Sequence, residues 1–337
     1  MMMNSSKNPF NVIPGTVIQG KWHKNRYTIL KELGFGANGI VFLARNNHGH
    51  VALKMSDNGM SVTSEVNVLK SFAKVQGSAL GPSLLDVDDW QVNGSQISFY
   101  VMEYIEGPDF LDFISQKGHS WLPVLMLQLL ADLEKLHQNG WVFGDLKPEN
   151  LIVTGPTPRI RCIDVGGTTL QGRAIKEFTE FYDRGYWGLG SRKAEPSYDL
   201  FAVAMVMINT AYPKRFNKTQ GGLVQLQKQI EQSKLLSKFE PVILKALQGH
   251  YQSAGEMRQE FLQHIHHGTA QSRTKTGSRQ TRHTGKRSNV QAATNNHVRG
   301  SQVRHGQRKR KGRSMETVLI LVIVMLFYAF YIFGELI

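Results

Sequence analysis

The chain has 337 residues, 41% hydrophobic and 20% charged, which excludes a wholly disordered protein and fits about two domains or one large bilobal one. A single cysteine, Cys162, excludes a disulfide framework and points to a reducing compartment. The formal net charge of +14 is local: residues 268–315 hold 13 of the 40 Lys and Arg and none of the 26 Asp and Glu, so the rest is nearly balanced.

In chain order, residues 1–23 read as an N-terminal extension, and 24–267 carry the mixed hydrophobic periodicity of a packed domain. Strands are expected over 27–30, 40–44 and 51–54. The glycines of 34–39 and the run Asn46-Asn47-His48-Gly49 separate them, which predicts a twisted antiparallel sheet. Leu33-Gly34-Phe35-Gly36-Ala37-Asn38-Gly39-Ile40-Val41 has the spacing GxGxxGxV, in which glycines let backbone N–H groups approach phosphate oxygens with no Cβ in the way. The element that follows is a strand and not the helix of a dinucleotide-binding turn, and Lys54, closing Val51-Ala52-Leu53-Lys54, is spaced to reach α- and β-phosphates. After a strand-like run at 97–105 the pattern turns helical, with Leu122, Leu125, Leu129, Leu133 and Leu136 at three- and four-residue steps.

The strongest chemical signal is Gly144-Asp145-Leu146-Lys147-Pro148-Glu149-Asn150, followed by Asp164-Val165-Gly166. Phosphoryl transfer needs a carboxylate to take or orient the nucleophile's proton and oxygen ligands to hold a divalent cation against the triphosphate. Asp145 suits the first task, and Asn150 with Asp164 the second.

In these motifs residues 24–267 resemble the Hanks-type serine/threonine protein kinases. The resemblance implies an α+β, bilobal fold: an N-lobe antiparallel sheet with one helix, a helical C-lobe, and ATP in the cleft. It implies that Lys54 binds phosphates with Glu65 as its helix partner, that Asp145 is the catalytic base, and that Lys147 supports the transferred phosphoryl group. Asn150 and Asp164 would hold Mg2+, with Mn2+ the alternative ion. The nucleotide would lie against Leu33, Gly34, Gly36, Gly39, Val41 and Ala52. Met102 would be the gatekeeper, and the backbone at Glu103 and Ile105 would bond adenine. Thr168, Thr169 and Thr179 are the autophosphorylation candidates, and Asp199 the buried anchor of the catalytic loop. Phe143-Gly144-Asp145 stands where the family has HRD, so the arginine that reads a phosphorylated loop is absent. Val165 replaces the Phe of DFG, and Ala194-Glu195-Pro196 has the letters of APE in another order.

Residues 268–316 have no aromatic side chain and little to bury, and are expected to be a disordered basic linker. Its positive side chains, Arg273, Lys275, Arg279, Arg282, Lys286, Arg287, Arg299, Arg304, Arg308, Lys309, Arg310, Lys311 and Arg313, suit duplex DNA bound without sequence preference. Anionic lipid competes for 308–313, and a plain soluble spacer is the bland alternative. Residues 317–337 would reach about 31 Å as a helix, enough for one transmembrane anchor, and the flanking charge places the folded domain in the cytoplasm. This layout resembles membrane-anchored kinases of spore-forming bacilli. Expected partners are Ser/Thr protein substrates, duplex DNA, the inner membrane and a second copy for phosphorylation in trans. The rival reading is a pseudokinase scaffold tethering DNA or proteins to the membrane. A small-molecule kinase is a third, which the Lys147-Pro148 form of the loop opposes.

Overall fold

Alternation of side chains across a strand sorts the N-terminal third into two faces. Tyr27, Ile29, Ile40, Phe42, Ala44, Leu53, Met55, Phe99 and Val101 form one buried cluster, while Ala52, Tyr100 and Met102, on the opposite face, join the main core. The computed structural model describes residues 9–274 apart from 37, 75–79 and 220. The elements in chain order begin with β1 (Val17–Gln19), β2 (Arg26–Gly36), β3 (Gly39–Asn46), β4 (Gly49–Ser56), α1 (Gly59–Lys74), β5 (Leu84–Val92) and β6 (Ser95–Glu103). These strands make one antiparallel sheet of order β1-β2-β3-β4-β6-β5, with α1 packed on β4, β5 and β6.

The C-terminal lobe follows: α2 (Phe110–Lys117), α3 (Leu122–Gln138), β7 (Trp141–Val142), β8 (Leu151–Thr154), β9 (Arg159–Cys162) and β10 (Thr169–Leu170). Then come α4 (Arg184–Trp187), α5 (Pro196–Ala211), α6 (Gly222–Gln232), α7 (Glu240–Leu247) and α8 (Ala254–Thr274). The short strands pair as β8 with β9 and β7 with β10. Helix α5 is buried on nearly every side, as a helix apolar all round must be. Helices α3, α7 and α8 pack against it, with Leu125, Leu129, Leu133, Val242, Ile243, Met257 and Phe261 fully enclosed. The bilobal α+β arrangement agrees with the expected one.

Two boundaries move. The segment 1–23, expected outside the domain, supplies β1, and its Ile18 is wholly buried against the sheet. At the other end α8 runs past 267, which puts Arg273 on a helix and not in the linker. The remaining basic positions, 275–313, and the expected anchor, 317–337, lie outside the described residues. Among the described residues no helix is long and apolar enough to cross a membrane.

The N-terminal segment is held by two carboxylates of β5. Asp86 accepts from Asn25 Nδ2 at 2.9 Å, Tyr27 OH at 2.6 Å and Val87 N at 2.8 Å, and His23 Nδ1 lies 2.7 Å away. Asp88 accepts from the backbone N–H of Trp22 at 2.8 Å and of His23 at 2.7 Å. His23, Asp86 and Asp88 are spaced closely enough to suggest metal ligands. All four carboxylate oxygens are, however, taken by protein donors, so the cluster is a clamp.

Burial alone would push the Asp86 carboxyl up, but Asn25, Tyr27 and His23 hold it below the ordinary Asp value. Its stabilisation is therefore complete above an unfolded-state pKa of about 3.9 and fades as pH falls through the lower folded value. The hydrogen bond and charge of Asp86 raise His23, whose pairing fades in the opposite direction, as pH rises. Asp86→Asn should cost about 2 kcal/mol near neutrality and flatten the acid limb of stability. Thermal midpoints recorded between pH 3 and 7 check this, and an acid limb unchanged in the variant would contradict it.

Candidate functional site

The sheet register places the apolar wall and, on it, Lys54. In β4, Lys54 pairs with Val41 of β3 and Tyr100 of β6, and Ala52 pairs with Met102, so these side chains share the face turned to the C-terminal lobe. Lys54 Nζ lies 2.6 Å from Glu65 Oε2 on α1, with both side chains buried. Tyr100 OH donates to the same oxygen at 2.6 Å, which fixes the carboxylate. Burial, with Glu65 alongside, drives the Tyr100 hydroxyl well above its ordinary range and keeps it a donor. A buried ion pair needs such additional hydrogen bonds to offset desolvation.

The opposite wall is the loop after β7. Asp199, in the first turn of α5 and fully buried, accepts from Phe143 N at 2.7 Å and Gly144 N at 2.9 Å, and His137 Nε2 sits 2.8 Å away. Gly144 has φ +85°, and a Cβ there would lie 2.7 Å from the Gly167 carbonyl oxygen, so no side chain fits. The missing arginine is thus a backbone requirement of this loop.

The loop delivers Asp145, whose carboxylate lies 2.5 Å from Lys147 Nζ. Thr179 Oγ1 is 3.2 Å from Asp145 Oδ1 and accepts from Lys147 Nζ at 3.2 Å. Asn150 Nδ2 donates to the Asp145 carbonyl at 2.9 Å, while Asp164 Oδ1 accepts from Gly166 N at 3.0 Å. Asn150 and Asp164 line one cavity, and their remaining oxygens are hard donors that fit a divalent cation such as Mg2+.

That cavity, about 380 Å³, lies between the lobes and is lined by Leu33, Gly34, Gly36, Gly39, Val41, Ala52, Lys54, Met102, Glu103 and Ile105 as well as Asn150 and Asp164. Glu65 backs it through Lys54, whereas Asp145, Lys147 and Thr179 line an adjoining groove. Glu103 is fixed from two sides: its N–H donates to the Ser83 carbonyl at 2.9 Å, and Arg161 pairs with its carboxylate and holds it below the usual range.

The autophosphorylation candidates separate. Thr168 and Thr169 are 0% and 1% exposed, because the β7–β10 pairing folds their segment under the surface, so neither hydroxyl is accessible here. Thr179 reaches the groove. Glu195, in the triplet with the altered letter order, pairs with the buried Arg184 at 2.6 Å. Val165, smaller than the residue it replaces, is nonetheless buried in the cluster that includes Leu69, Phe72 and Tyr100.

Three contributors escaped the sequence reading. Tyr100 and His137 gain roles only through their partners in space, although His137 stands at the end of the Leu122–Leu136 helical pattern. Glu177 enters the cavity from the segment after β10. Its carboxyl is raised by burial and by Asp164, and its Oε1 accepts from Asn38 Nδ2.

Residues 27–282 match the protein kinase domain family. The chain is 61% identical over 251 residues to serine/threonine-protein kinase YabT of Bacillus subtilis (strain 168), covering 74% of each chain. It is also 27% identical over 209 residues to cyclin-dependent kinase G-2 of Oryza sativa subsp. indica, covering 57% of this chain and 28% of that one. Against serine/threonine-protein kinase cds1 of Schizosaccharomyces pombe, identity is 30% over 144 residues, covering 40% and 31%.

The backbone requirement at residue 144 makes a prediction. Gly144→Ala should destabilise the protein by about 1–3 kcal/mol, the cost of a left-handed non-glycine residue. A thermal midpoint equal to that of the wild type would contradict the clash with Gly167.

Proposed function

We propose that this chain, which belongs to the protein kinase domain family and is a serine/threonine protein kinase that uses ATP and a divalent cation, works with Mg2+ on the cytoplasmic face of the membrane under the control of DNA, with the residue roles that follow. The observation that carries the residue roles is the placement of Lys54, tied to Glu65 at 2.6 Å, across one cavity from Asn150 and Asp164.

In this reading the adenine lies between Ala52 and Ile152 against the backbone of Glu103 and Ile105, with Met102 behind it. Gly34, Gly36 and Gly39 bring backbone N–H groups to the triphosphate. Gly39 has φ +129°, and a Cβ there would run into the Met55 carbonyl, so the turn can close only with glycine. Lys54 neutralises α- and β-phosphate oxygens. Asn150 and Asp164 would hold Mg2+, which would supply positive charge against the triphosphate. Asp145 orients the substrate hydroxyl and takes its proton. The hydroxyl oxygen bonds to the γ-phosphorus, the bond to the β–γ bridging oxygen breaks, and ADP leaves. Lys147 stabilises the equatorial oxygens in transit. Thr179, which lines the groove while Thr168 and Thr169 are enclosed, is the autophosphorylation site in this reading.

The basic run at 268–315 and the apolar run at 318–333 support the regulatory part. DNA bound there would gather several catalytic domains beside a membrane that already confines them, raising effective concentration for phosphorylation in trans.

Asp145→Asn and Lys54→Ala should each reduce transfer of labelled phosphate to a basic protein by about 10²–10⁴-fold with the fold retained. Unchanged autophosphorylation in either would overturn the residue roles. Replacing Arg273, Arg279, Arg282, Lys286 and Arg287 together by Ala should weaken DNA binding and its stimulation in parallel. The salt dependence of wild-type binding should have a log–log slope no steeper than about −12. Full stimulation in the variant would return the segment to a lipid-facing or spacer role.

A further inference from the structure

Glu177 forms the shared wall of the two hollows, lining the nucleotide cavity beside Asp164 and the groove beside Asp145. Asn38, at the tip of the glycine-rich turn, donates to its Oε1. The adjacent Lys176 donates to Ser64 Oγ on α1 at 3.2 Å and to the Thr168 carbonyl at 3.3 Å. The segment after β10 is therefore tied to the turn that must cover the phosphates and to the helix that carries Glu65.

Nothing in the transfer chemistry calls for a further carboxylate at this end of the cavity. A triphosphate entering here brings several negative charges to a place where Asp164 and Asp145 already act on Glu177 with like sign and Lys54 is the opposing charge. Lys54 is in turn engaged by Glu65 at 2.6 Å. The Asn38 bond gives Glu177 a reason to stay: it ties the tip of the glycine-rich turn to the segment.

We propose that Glu177, latched to Asn38, is an internal competitor for the triphosphate that keeps the glycine-rich turn closed until the segment 164–195 draws it away. The latch then sets nucleotide affinity through the phosphates and leaves the adenine end untouched. A segment reshaped by phosphorylation at Thr179, two residues on, would release it. This inference rests on the nucleotide reading of the cavity, so the test separates the two.

Calorimetric titration of the full chain in detergent with ATP and with adenosine, each with and without Mg2+, compares the wild type with Glu177→Gln and Asn38→Ala. Glu177→Gln keeps an acceptor for Asn38 and removes only the charge, while Asn38→Ala removes only the latch. The expected result is ATP binding at least about tenfold tighter in Glu177→Gln. Asn38→Ala should shift in the same direction, and adenosine affinity should stay constant throughout, which also reports the fold. ATP affinity unchanged in both variants would overturn the latch. ATP affinity lowered in Glu177→Gln only when Mg2+ is present would overturn it as well, and would make Glu177 a cation ligand. Adenosine failing to bind the wild type would overturn the nucleotide reading and the latch with it.

Discussion

The geometry of the site depends on one buried carboxylate. Asp199, wholly enclosed at the start of α5, takes the N–H groups of Phe143 and Gly144 and the Nε2 of His137. An enclosed carboxylate without such donors would cost several kcal/mol, so the loop is held to the conformation that supplies them. Gly144, which supplies one of these donors, itself adopts φ +85°, and a Cβ there would lie 2.7 Å from the Gly167 carbonyl oxygen, which restricts that position to glycine. The next residue is Asp145, and its direction follows from the same constraint.

Across the cleft the organising interaction is the contact of Lys54 and Tyr100 with one oxygen of Glu65, each at 2.6 Å. It couples three elements, β4, β6 and α1, so a movement of the helix would uncouple the cation from the cavity. The two walls meet at the segment after β10. Thr179 joins it to Asp145 and Lys147, Glu177 to the glycine-rich turn, and Lys176 to α1. The segment thus touches the catalytic loop, the glycine-rich turn and α1 directly, in a chain that has Gly144 and not an arginine before Asp145.

The residues of the site were legible in the sequence wherever a motif restricts residue type. The sequence reading assigns phosphate approach to the glycines at 34, 36 and 39, and charge neutralisation, proton acceptance and cation binding to Lys54, Asp145, Asn150 and Asp164. All of these come together in the fold. The domain boundaries were less legible. Ile18 is buried only because β1 pairs with β2 and the carboxylates of β5 clamp the segment, and local patterning does not report such distant partners. Thr168 and Thr169 read as surface hydroxyls of a loop until β10 pairs with β7 and encloses them. Tyr100, His137 and Glu177 carry no motif, since each acquires its role from a residue 35, 62 or 139 positions away.

The most direct measurement is single-turnover phosphoryl transfer by Asp199→Asn, set beside its affinity for ATP. Asn retains the shape but turns an N–H donor toward one of the loop's own donors. The account predicts transfer slowed by about a hundredfold or more, as misplacing a catalytic group by about 1 Å does, with ATP affinity nearly unchanged because the N-terminal lobe builds most of that cavity. Transfer at the wild-type rate in a folded Asp199→Asn protein would contradict it.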